Sequence, residues 1–342
     1  MTKFITCESK NRDNPGVRYI GRFNFSEVQG PKFAWSASTI YARFYGTSVS
    51  AKLKSFGDNY FLITIDGEVV INSLQLNEGE EKTFILASQL LEGEHEVCIV
   101  KRTEFYLGTA QFLGFNFDDG KIFPPSEPSK RKIEFIGDSV SCGFGNEGEH
   151  QSIEYSPKYD NSYLNYASIA ARYLKAEHII IGRSGYGLIR NYDGDKVNTL
   201  PKIYSRILPD NEALWQFKNF VPEVVVINLG TNDFSFGFIP DKQEFILGYI
   251  NLVNEVHRNY PKAKIICAIG PIIEGKALEL TRNYIKNDVV DCLREKKEWI
   301  YFLEFEHQLE SNGYGINFHP SLKTHELMGK YLAKFINKIM VA

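Results

Sequence analysis

The sequence predicts two domains: an N-terminal all-β sandwich of the jelly-roll type, then an α/β domain with a doubly wound, five-stranded parallel sheet. Three observations support this. The chain has 342 residues, more than one domain usually holds. Its first third shows short runs that alternate in polarity, and the remainder alternates apolar runs with helical patterns. We assign residues 1–122 to the sandwich, 123–130 to a proline-rich linker and 131–342 to the α/β domain.

The strands of the first domain are predicted from alternation. Polarity tends to alternate within residues 41–45, 48–53, 60–65 and 95–100, and turn residues such as Asp66-Gly67 separate the runs. A period of two is typical of half-buried strands, and their spacing is typical of a sandwich. Three prolines within residues 124–128 then favour an extended linker.

The second domain shows a different period. Short, nearly continuous apolar runs suit strands that are buried on both faces of a parallel sheet. Helical spacing occurs between them, after Asp160 as a predicted helix cap, and again near the C-terminus. This alternation places a ligand site beyond the carboxyl ends of the strands. The five runs are residues 133–136, 178–181, 223–229, 264–269 and 299–303.

Composition excludes several classes of protein. Thirty-nine Lys and Arg against forty-two Asp and Glu give a net charge of −3, so no basic field predicts binding to nucleic acid. No run of 18 apolar residues predicts a membrane span. The five cysteines are widely spaced, and the N-terminus lacks the apolar region of a secretion signal, so we expect a cytoplasmic protein. The aromatic content of 14% is compatible with a homo-oligomer.

Four loops at the predicted strand ends carry the candidate chemistry. Ser139 follows the first apolar run of the second domain, where a serine is either a nucleophile or a helix cap. Gly185 and Asn232 follow the second and third runs, and each is either an oxyanion donor or an ordinary turn residue. His319 lies just before the last helix, where it is either a base or a structural residue.

Taken together, these residues predict acyl transfer. Ser139 would be the nucleophile and His319 its base, and the oxyanion would meet the N–H groups of Ser139 and Gly185 and the amide of Asn232. Activity should then fall below the ordinary histidine pKa of about 6.5. The mechanism needs no metal or organic cofactor. We interpret the neighbouring Asp233 as a turn-forming residue that accepts backbone N–H bonds.

The motifs resemble those of a known superfamily. Gly137-Asp138-Ser139, Gly185, Gly230-Thr231-Asn232-Asp233 and His319 match the four sequence blocks of the SGNH/GDSL hydrolases. The chain also resembles carbohydrate esterase family 2, in which a jelly roll precedes the hydrolase domain. This resemblance implies a flavodoxin-like hydrolase domain and removal of O-acetyl groups from plant cell-wall polysaccharides or their fragments. The further similar segments are residues 19–23, 33–40, 65–68, 184–191, 225–234 and 319–325.

One position departs from the superfamily. SGNH hydrolases usually carry an Asp three residues before the histidine, and here that residue is Ile316. Some members of family 2 instead use a backbone carbonyl two residues before the histidine, which implies the carbonyl of Asn317. Glu304 and Glu306, after the preceding apolar run, remain alternative carboxylates for orienting His319.

Other residues near the site have two interpretations each. Tyr186, Phe234 and Phe236 would line a sugar site or belong to the core. The glycines of residues 143–148 match a dinucleotide pattern, but they begin too far past the strand, so we set nucleotide binding aside. We interpret His325 as structural and Cys142 as a small buried residue, and we predict no metal site.

We therefore predict a serine esterase acting on acetylated xylo- or manno-oligosaccharides or polysaccharides, with the acetylated sugar as its partner. One alternative is an acetyltransferase that moves the acetyl group to a sugar acceptor. Another is a carbohydrate-binding protein without catalysis. The N-terminal sandwich would either bind glycan itself or shape one side of the cleft.

Overall fold

The computed structural model describes residues 16–118, 120–149, 154–294 and 298–341. The chain divides into two compact units. The first comprises Met1–Pro128 together with Ile207–Ala213, and the second comprises Ser129–Arg206 and Leu214–Ala342. Within the first unit, the Trp35 indole N–H donates to the Ile207 carbonyl at 2.8 Å. A short segment from the middle of the chain is thus part of the N-terminal unit.

The first unit is all β. Its strands form two antiparallel sheets, one in the order β1-β4-β9-β6-β7 with β11 added beside β4, the other in the order β2-β3-β10-β5-β8. The strands are β1 (Val17–Ile20), β2 (Phe23–Asn24), β3 (Lys32–Phe33), β4 (Thr39–Gly46), β5 (Val49–Gly57), β6 (Asn59–Ile65), β7 (Glu68–Leu76), β8 (Glu81–Ala87), β9 (Gly93–Lys101), β10 (Gly108–Asn116) and β11 (Lys121–Phe123).

One apolar core lies between these two sheets. In β5, Val49, Ala51 and Leu53 are buried while the residues between them are partly exposed, as the predicted alternation requires. Phe61 from one sheet and Phe112 from the other belong to the same buried cluster. The predicted all-β N-terminal domain is confirmed.

The second unit contains a parallel sheet of five strands. They are β12 (Lys132–Gly137), β13 (Glu177–Gly182), β14 (Val224–Asn228), β15 (Lys264–Ile269) and β16 (Ile300–Glu304), in the order β13-β12-β14-β15-β16. All four neighbouring pairs are parallel. The strand order 2-1-3-4-5 is that of flavodoxin-like folds, and it opens a crevice where the winding direction reverses, beside β12 and β14. The predicted α/β domain is confirmed.

Helices alternate with these strands. They are α1 (Ser139–Cys142), α2 (Tyr166–Tyr173), α3 (Leu200–Ile203), α4 (Lys242–Asn259), α5 (Gly275–Arg282), α6 (Cys292–Arg294) and α7 (Leu322–Val341), with a π-helical stretch (Asn283–Asp291) between α5 and α6. In the described ranges, none of the helices has the length and apolar character needed to cross a membrane.

The predicted cap of α2 is wrong. A 3-10 turn at Ser162–Leu164 precedes the helix, so α2 begins later than its apolar spacing indicates. Asn165 caps it, because its side-chain oxygen accepts the Ser168 N–H at 2.8 Å. Asp160 instead accepts the N–H of Gly145 at 2.7 Å, in the loop after α1.

Candidate active site

Ser139 begins α1 directly after β12. Asp138 caps this short helix, its carboxylate accepting the Val140 N–H at 3.1 Å. Gly137 makes the sharp turn possible, since a Cβ there would lie 2.0 Å from Ser141 Oγ. Ser139 is only 7% exposed and lies at the carboxyl edge of the sheet. The turn therefore presents a single hydroxyl at the crevice.

The Ser139 hydroxyl meets an imidazole. Its Oγ lies 2.8 Å from His319 Nε2, and His319 Nδ1 lies 3.0 Å from the main-chain oxygen of Ile316. Because a carbonyl only accepts hydrogen bonds, Nδ1 carries the ring proton. Nε2 is then free to accept the serine proton, which is the arrangement that a nucleophile and its base require.

Two main-chain carbonyls accept from the His319 ring, and the predicted Asn317 carbonyl is one of them. The hydrogen bond at 3.0 Å is made by the other, that of Ile316. Asn317 (φ +51°) and Phe318 (φ +58°) both adopt the left-handed region, so the chain turns back sharply before His319. This turn brings the Ile316 oxygen to Nδ1 of the ring, and the Asn317 carbonyl is a second acceptor.

Neither alternative carboxylate orients the histidine. Glu304 receives two hydrogen bonds from Arg282, both at 2.6 Å, and Glu306 is exposed. The orienting acceptor is therefore uncharged. Burial lowers the pKa of His319 to about 4, although its bonds to the Ile316 and Asn317 carbonyls act in the opposite direction. This direction places the expected acid limit of activity below the ordinary histidine pKa of about 6.5.

The loops after β13 and β14 carry the two predicted oxyanion donors. Strand register aligns Gly137 of β12 with Gly182 and with Asn228, so Ser139, Gly185 and Asn232 follow at the same sheet edge. Asn232 Nδ2 donates to the Tyr186 carbonyl at 2.8 Å, which ties one loop to the other. Gly185 adopts φ +78°, which few side chains tolerate.

Asp233 holds the loop that follows Gly185. Its carboxylate accepts the N–H groups of Leu188, Ile189 and Arg190 at 2.8 to 3.0 Å. Burial raises the pKa of Asp233 to about 6, against the lowering effect of these N–H bonds. The three bonds are those of the turn-forming residue expected at this position.

Arg190 and Asn191 add further support to the same loop. The Arg190 guanidinium donates to Ser235 Oγ at 2.9 Å, and Asn191 Oδ1 accepts the Gly187 N–H at 3.0 Å. Asn191 thus bonds within its own loop, and Arg190 bonds this loop to the segment that follows Asn232. The loops that carry the predicted oxyanion donors are therefore held from several directions.

The three predicted lining aromatics lie in different environments. Phe236 is 83% exposed, with its ring centroid 5.5 Å from that of Tyr192. Tyr186 is partly buried, under the guanidinium of Arg183. Phe234 is buried against the rings of the helical layer, so its assignment to an accessible surface is wrong. Phe234 and Phe236 lie only two residues apart in one loop, so the sequence pattern does not distinguish the buried ring from the exposed one.

The dinucleotide-like glycines face the histidine loop. A Cβ on Gly145 or Gly148 would lie 2.6 or 2.5 Å from side-chain atoms of Ile316, so that side chain occupies the space above them. Cys142 is fully buried, as expected. His325 is structural: its Nδ1 accepts the Tyr166 N–H at 3.1 Å.

Three contributors to this site are not predicted from the sequence. Ile316 stands where the superfamily has an acid, Asp160 has the position of a helix cap, and the glycines match a nucleotide-binding pattern. The close spacing of these glycines after the serine was a usable signal, because glycines often mark the close approach of another segment.

Within the described ranges, no three His, Cys, Asp or Glu side chains are grouped to hold a metal ion.

The fold and site define a hydrolase of the SGNH/GDSL class, and the family models agree. The model described as "GDSL-like Lipase/Acylhydrolase family" matches residues 135–327, and the one described as "Carbohydrate esterase 2 N-terminal" matches residues 19–126. The chain belongs to carbohydrate esterase family 2, whose members are carboxylic ester hydrolases.

Three relatives illustrate the similarity. A family two carbohydrate esterase from Clostridium thermocellum, solved with cellohexaose, is 45% identical with a TM-score of 0.92, covering 95% of this chain and 99% of that one. The cellulase/esterase CelE of Acetivibrio thermocellus is 46% identical over 97% of this chain. This chain spans only 40% of the length of CelE. An acetylxylan esterase / glucomannan deacetylase of Cellvibrio japonicus is 28% identical over 88% of this chain and 83% of its own.

Proposed function

We infer that this chain is a serine esterase that removes O-acetyl groups from acetylated xylo- or manno-oligosaccharides or polysaccharides. The observation that carries this inference is the chain of contacts from Ser139 Oγ to His319 Nε2 and from His319 Nδ1 to the Ile316 carbonyl. It supplies a nucleophile and a base whose tautomer is set. The Cellvibrio relative, named for both acetylxylan and glucomannan, supports the substrate class.

Acylation begins with Ser139. Its Oγ attacks the acetyl carbonyl carbon while its proton passes to His319 Nε2. The oxyanion that develops is met by the N–H groups of Ser139 and Gly185 and by the amide of Asn232. The bond from the acetyl carbon to the sugar oxygen then breaks, and the imidazolium returns its proton to that oxygen.

Deacylation uses the same groups with water in place of the sugar. His319 accepts a proton from the water as it attacks the acetyl-Ser139 ester. The second oxyanion collapses, acetate leaves, and the proton passes back to Ser139 Oγ. Asp233 and Arg190 take no proton in this scheme, because they act only on the loops that hold the donors.

Exposed rings near these loops would contact the sugar. Phe236 and Tyr192 pack together on the oxyanion side, and the Tyr192 N–H donates to the Gly185 carbonyl at 2.8 Å. Phe318, next to His319, is 49% exposed. Aromatic faces suit the C–H-rich faces of pyranose rings, so these side chains would orient the ester rather than react with it.

The decisive experiment measures acetate release from acetylated xylo-oligosaccharides and acetylated manno-oligosaccharides, with a chelator present. Wild type should release acetate, and Ser139→Ala and His319→Ala should lower kcat by at least about ten-thousandfold. Ser141→Ala and His307→Ala are matched controls. Ser141 lies in the same helix as Ser139, with its hydroxyl bonded to that of Tyr166 in α2, and His307 is exposed in the same unit.

The outcomes separate the competing functions. Release by Ser139→Ala at the wild-type rate would remove the nucleophile from this mechanism. Acetylated sugar formed at the expense of acetate, when a sugar acceptor is added, would indicate an acetyltransferase instead. Retention on a glycan matrix without any turnover of acetyl esters would indicate a binding protein.

A further inference from the structure

The Ile316 backbone carries three hydrogen bonds around His319. Its carbonyl accepts both the ring Nδ1–H, at 3.0 Å, and the main-chain N–H of His319, at 3.1 Å. Its own N–H donates to the Gly145 carbonyl at 3.0 Å. A carboxylate side chain can rotate to follow an imidazole, but a carbonyl points only where the backbone directs it. The position of the Ile316 backbone therefore sets the orientation of the base.

The Ile316 side chain, only 1% exposed, packs over two glycines. A Cβ on Gly148 would lie 2.5 Å from both Cγ1 and Cδ1 of Ile316, and one on Gly145 would lie 2.6 Å from its Cβ. Carbon atoms in contact are normally about 3.5 to 4.0 Å apart. Gly145 also has φ +56°, whereas Gly148 lies outside the left-handed region. At Gly148, the steric demand thus comes chiefly from Ile316.

The glycine segment is itself held by a buried acid. Asp160 accepts the Gly145 N–H at 2.7 Å through one oxygen and the Tyr155 hydroxyl at 2.9 Å through the other. The Tyr155 ring stacks on Phe144 at 4.7 Å, and Phe144 lies 4.6 Å from the His319 ring. The surface against which Ile316 packs is therefore fixed on both its backbone and its aromatic side.

We propose that Gly145, Gly148 and Ile316 form a positioning seat for the base, in which the packing of Ile316 on the two glycines fixes the carbonyl that accepts from His319 Nδ1. Close packing against the two glycines fixes the Ile316 side chain, and the Ile316 main-chain carbonyl is thereby directed at His319 Nδ1. Gly148 is the residue that the seat most depends on, because any side chain there displaces Ile316. This proposal rests on the proposed function only in that His319 is the base.

The test is a pair of compensating substitutions. Gly148→Ala should lower kcat for acetate release by about ten- to hundredfold with little change in KM, because a displaced base slows chemistry rather than binding. Adding Ile316→Ala removes the two atoms that clash with the new methyl group. The double variant should recover much of the lost kcat and exceed Gly148→Ala alone.

Gly329→Ala is the matched control. A Cβ at Gly329, in α7, would lie 2.5 Å from Cγ2 of Ile169, a clash of the same kind away from the histidine loop. This variant should lower Tm without changing kcat. A loss of kcat that merely followed Tm in both glycine variants would overturn the proposal, as would a double variant no better than Gly148→Ala.

A second readout does not depend on turnover. The Nδ1–H proton of His319, identified by its loss in His319→Ala, should give a low-field NMR resonance in wild type. The resonance should shift upfield or broaden in Gly148→Ala and return in the double variant. If Gly148→Ala does not fold, Ile316→Ala alone should weaken the same resonance, because it leaves an empty space over Gly148 that the added methyl group partly fills in the double variant. An unchanged resonance would overturn the seat, whereas absent turnover with these changes intact would overturn only the proposed function.

Discussion

At the scale of single residues, the site is distinguished by the neutral partner of its base. A carboxylate would favour the protonated imidazole, but a carbonyl offers only a dipole, so burial dominates and the pKa of His319 falls to about 4. The base is consequently weak, yet it remains uncharged in mildly acidic solution. In the proposed mechanism, compensation comes from geometry, through the 2.8 Å contact to Ser139 and the loops that carry the predicted oxyanion donors.

The low pKa of His319 predicts the acid limb of the rate profile. Neutral His319 is the active form, so kcat/KM should fall as pH drops through about 4 to 5 rather than through 6.5. Titration of the His319 ring by NMR would check the assignment directly. A midpoint near 6.5 by both measurements would show that the ring is not desolvated as its surroundings indicate.

Replacing Asp233 should reduce catalytic activity more than it reduces the stability of the fold. Asp233→Asn removes one acceptor oxygen facing the N–H groups of Leu188 to Arg190, so Asn232 and its loop should shift and kcat should fall about tenfold or more. Burial of the charge opposes folding, so the amide should leave Tm at neutral pH nearly unchanged. Asp241→Asn, at the cap of α4, is the control and should alter neither quantity.

At the scale of elements, the ends of parallel strands assemble the site from distant segments. Turns after β12, β13 and β14 bring Ser139 and the predicted oxyanion donors to one edge, and the loop before α7 adds His319, the proposed base. The carboxylate at the end of β16 has a structural role instead, because Glu304 accepts two hydrogen bonds from Arg282. This pair joins β16 to α5 without touching His319.

Glu304→Gln should therefore leave catalysis unchanged. The acid limb and kcat should match wild type, and the free energy of unfolding should fall by no more than about 1 kcal/mol, since the pair is partly exposed. Rate profiles and urea unfolding of Glu304→Gln and of Glu306→Gln would check this. A large drop in kcat in Glu304→Gln alone would restore a carboxylate to the orienting role.

At the scale of the whole molecule, buried or half-buried neutral histidines link folding to pH. Burial lowers the pKa of His178 and His325 to about 3 and that of His319 to about 4, and all three lie in the second unit. Below about pH 6.5 the unfolded chain binds protons at these positions while the folded chain does not. Stability should consequently fall with decreasing pH, although Asp233, whose pKa is raised, opposes this between about pH 6 and 4.

Urea unfolding at pH 7, 6 and 5 would measure this linkage. Each of the three histidines adds at most about 1.4 kcal/mol of lost stability per pH unit. His325→Gln should reduce that slope by one such contribution, with His307→Gln, at an exposed position, as the control. An unfolding free energy that stays constant from pH 7 to 5 would contradict the burial of these rings as neutral groups.

Much of this site was accessible from sequence because its residues follow buried strands directly. Ser139, Gly185 and Asn232 come within a few residues of apolar runs, and parallel strands end at one edge, so a linear pattern predicts a spatial cluster. The two fold classes were accessible for a similar reason, since burial on one or both faces of a sheet leaves a period of two or a continuous run.

The sequence by itself determined the two domains, and it predicts the nucleophile, its base and the donors around the oxyanion. Only the tertiary structure decided which carbonyl orients His319, that Phe234 is buried while Phe236 is exposed, and that Asp160 supports a loop rather than a helix. The physical reason is the same in each case. These properties depend on backbone direction and on atoms far away in the chain, and neither leaves a period or a spacing in the sequence.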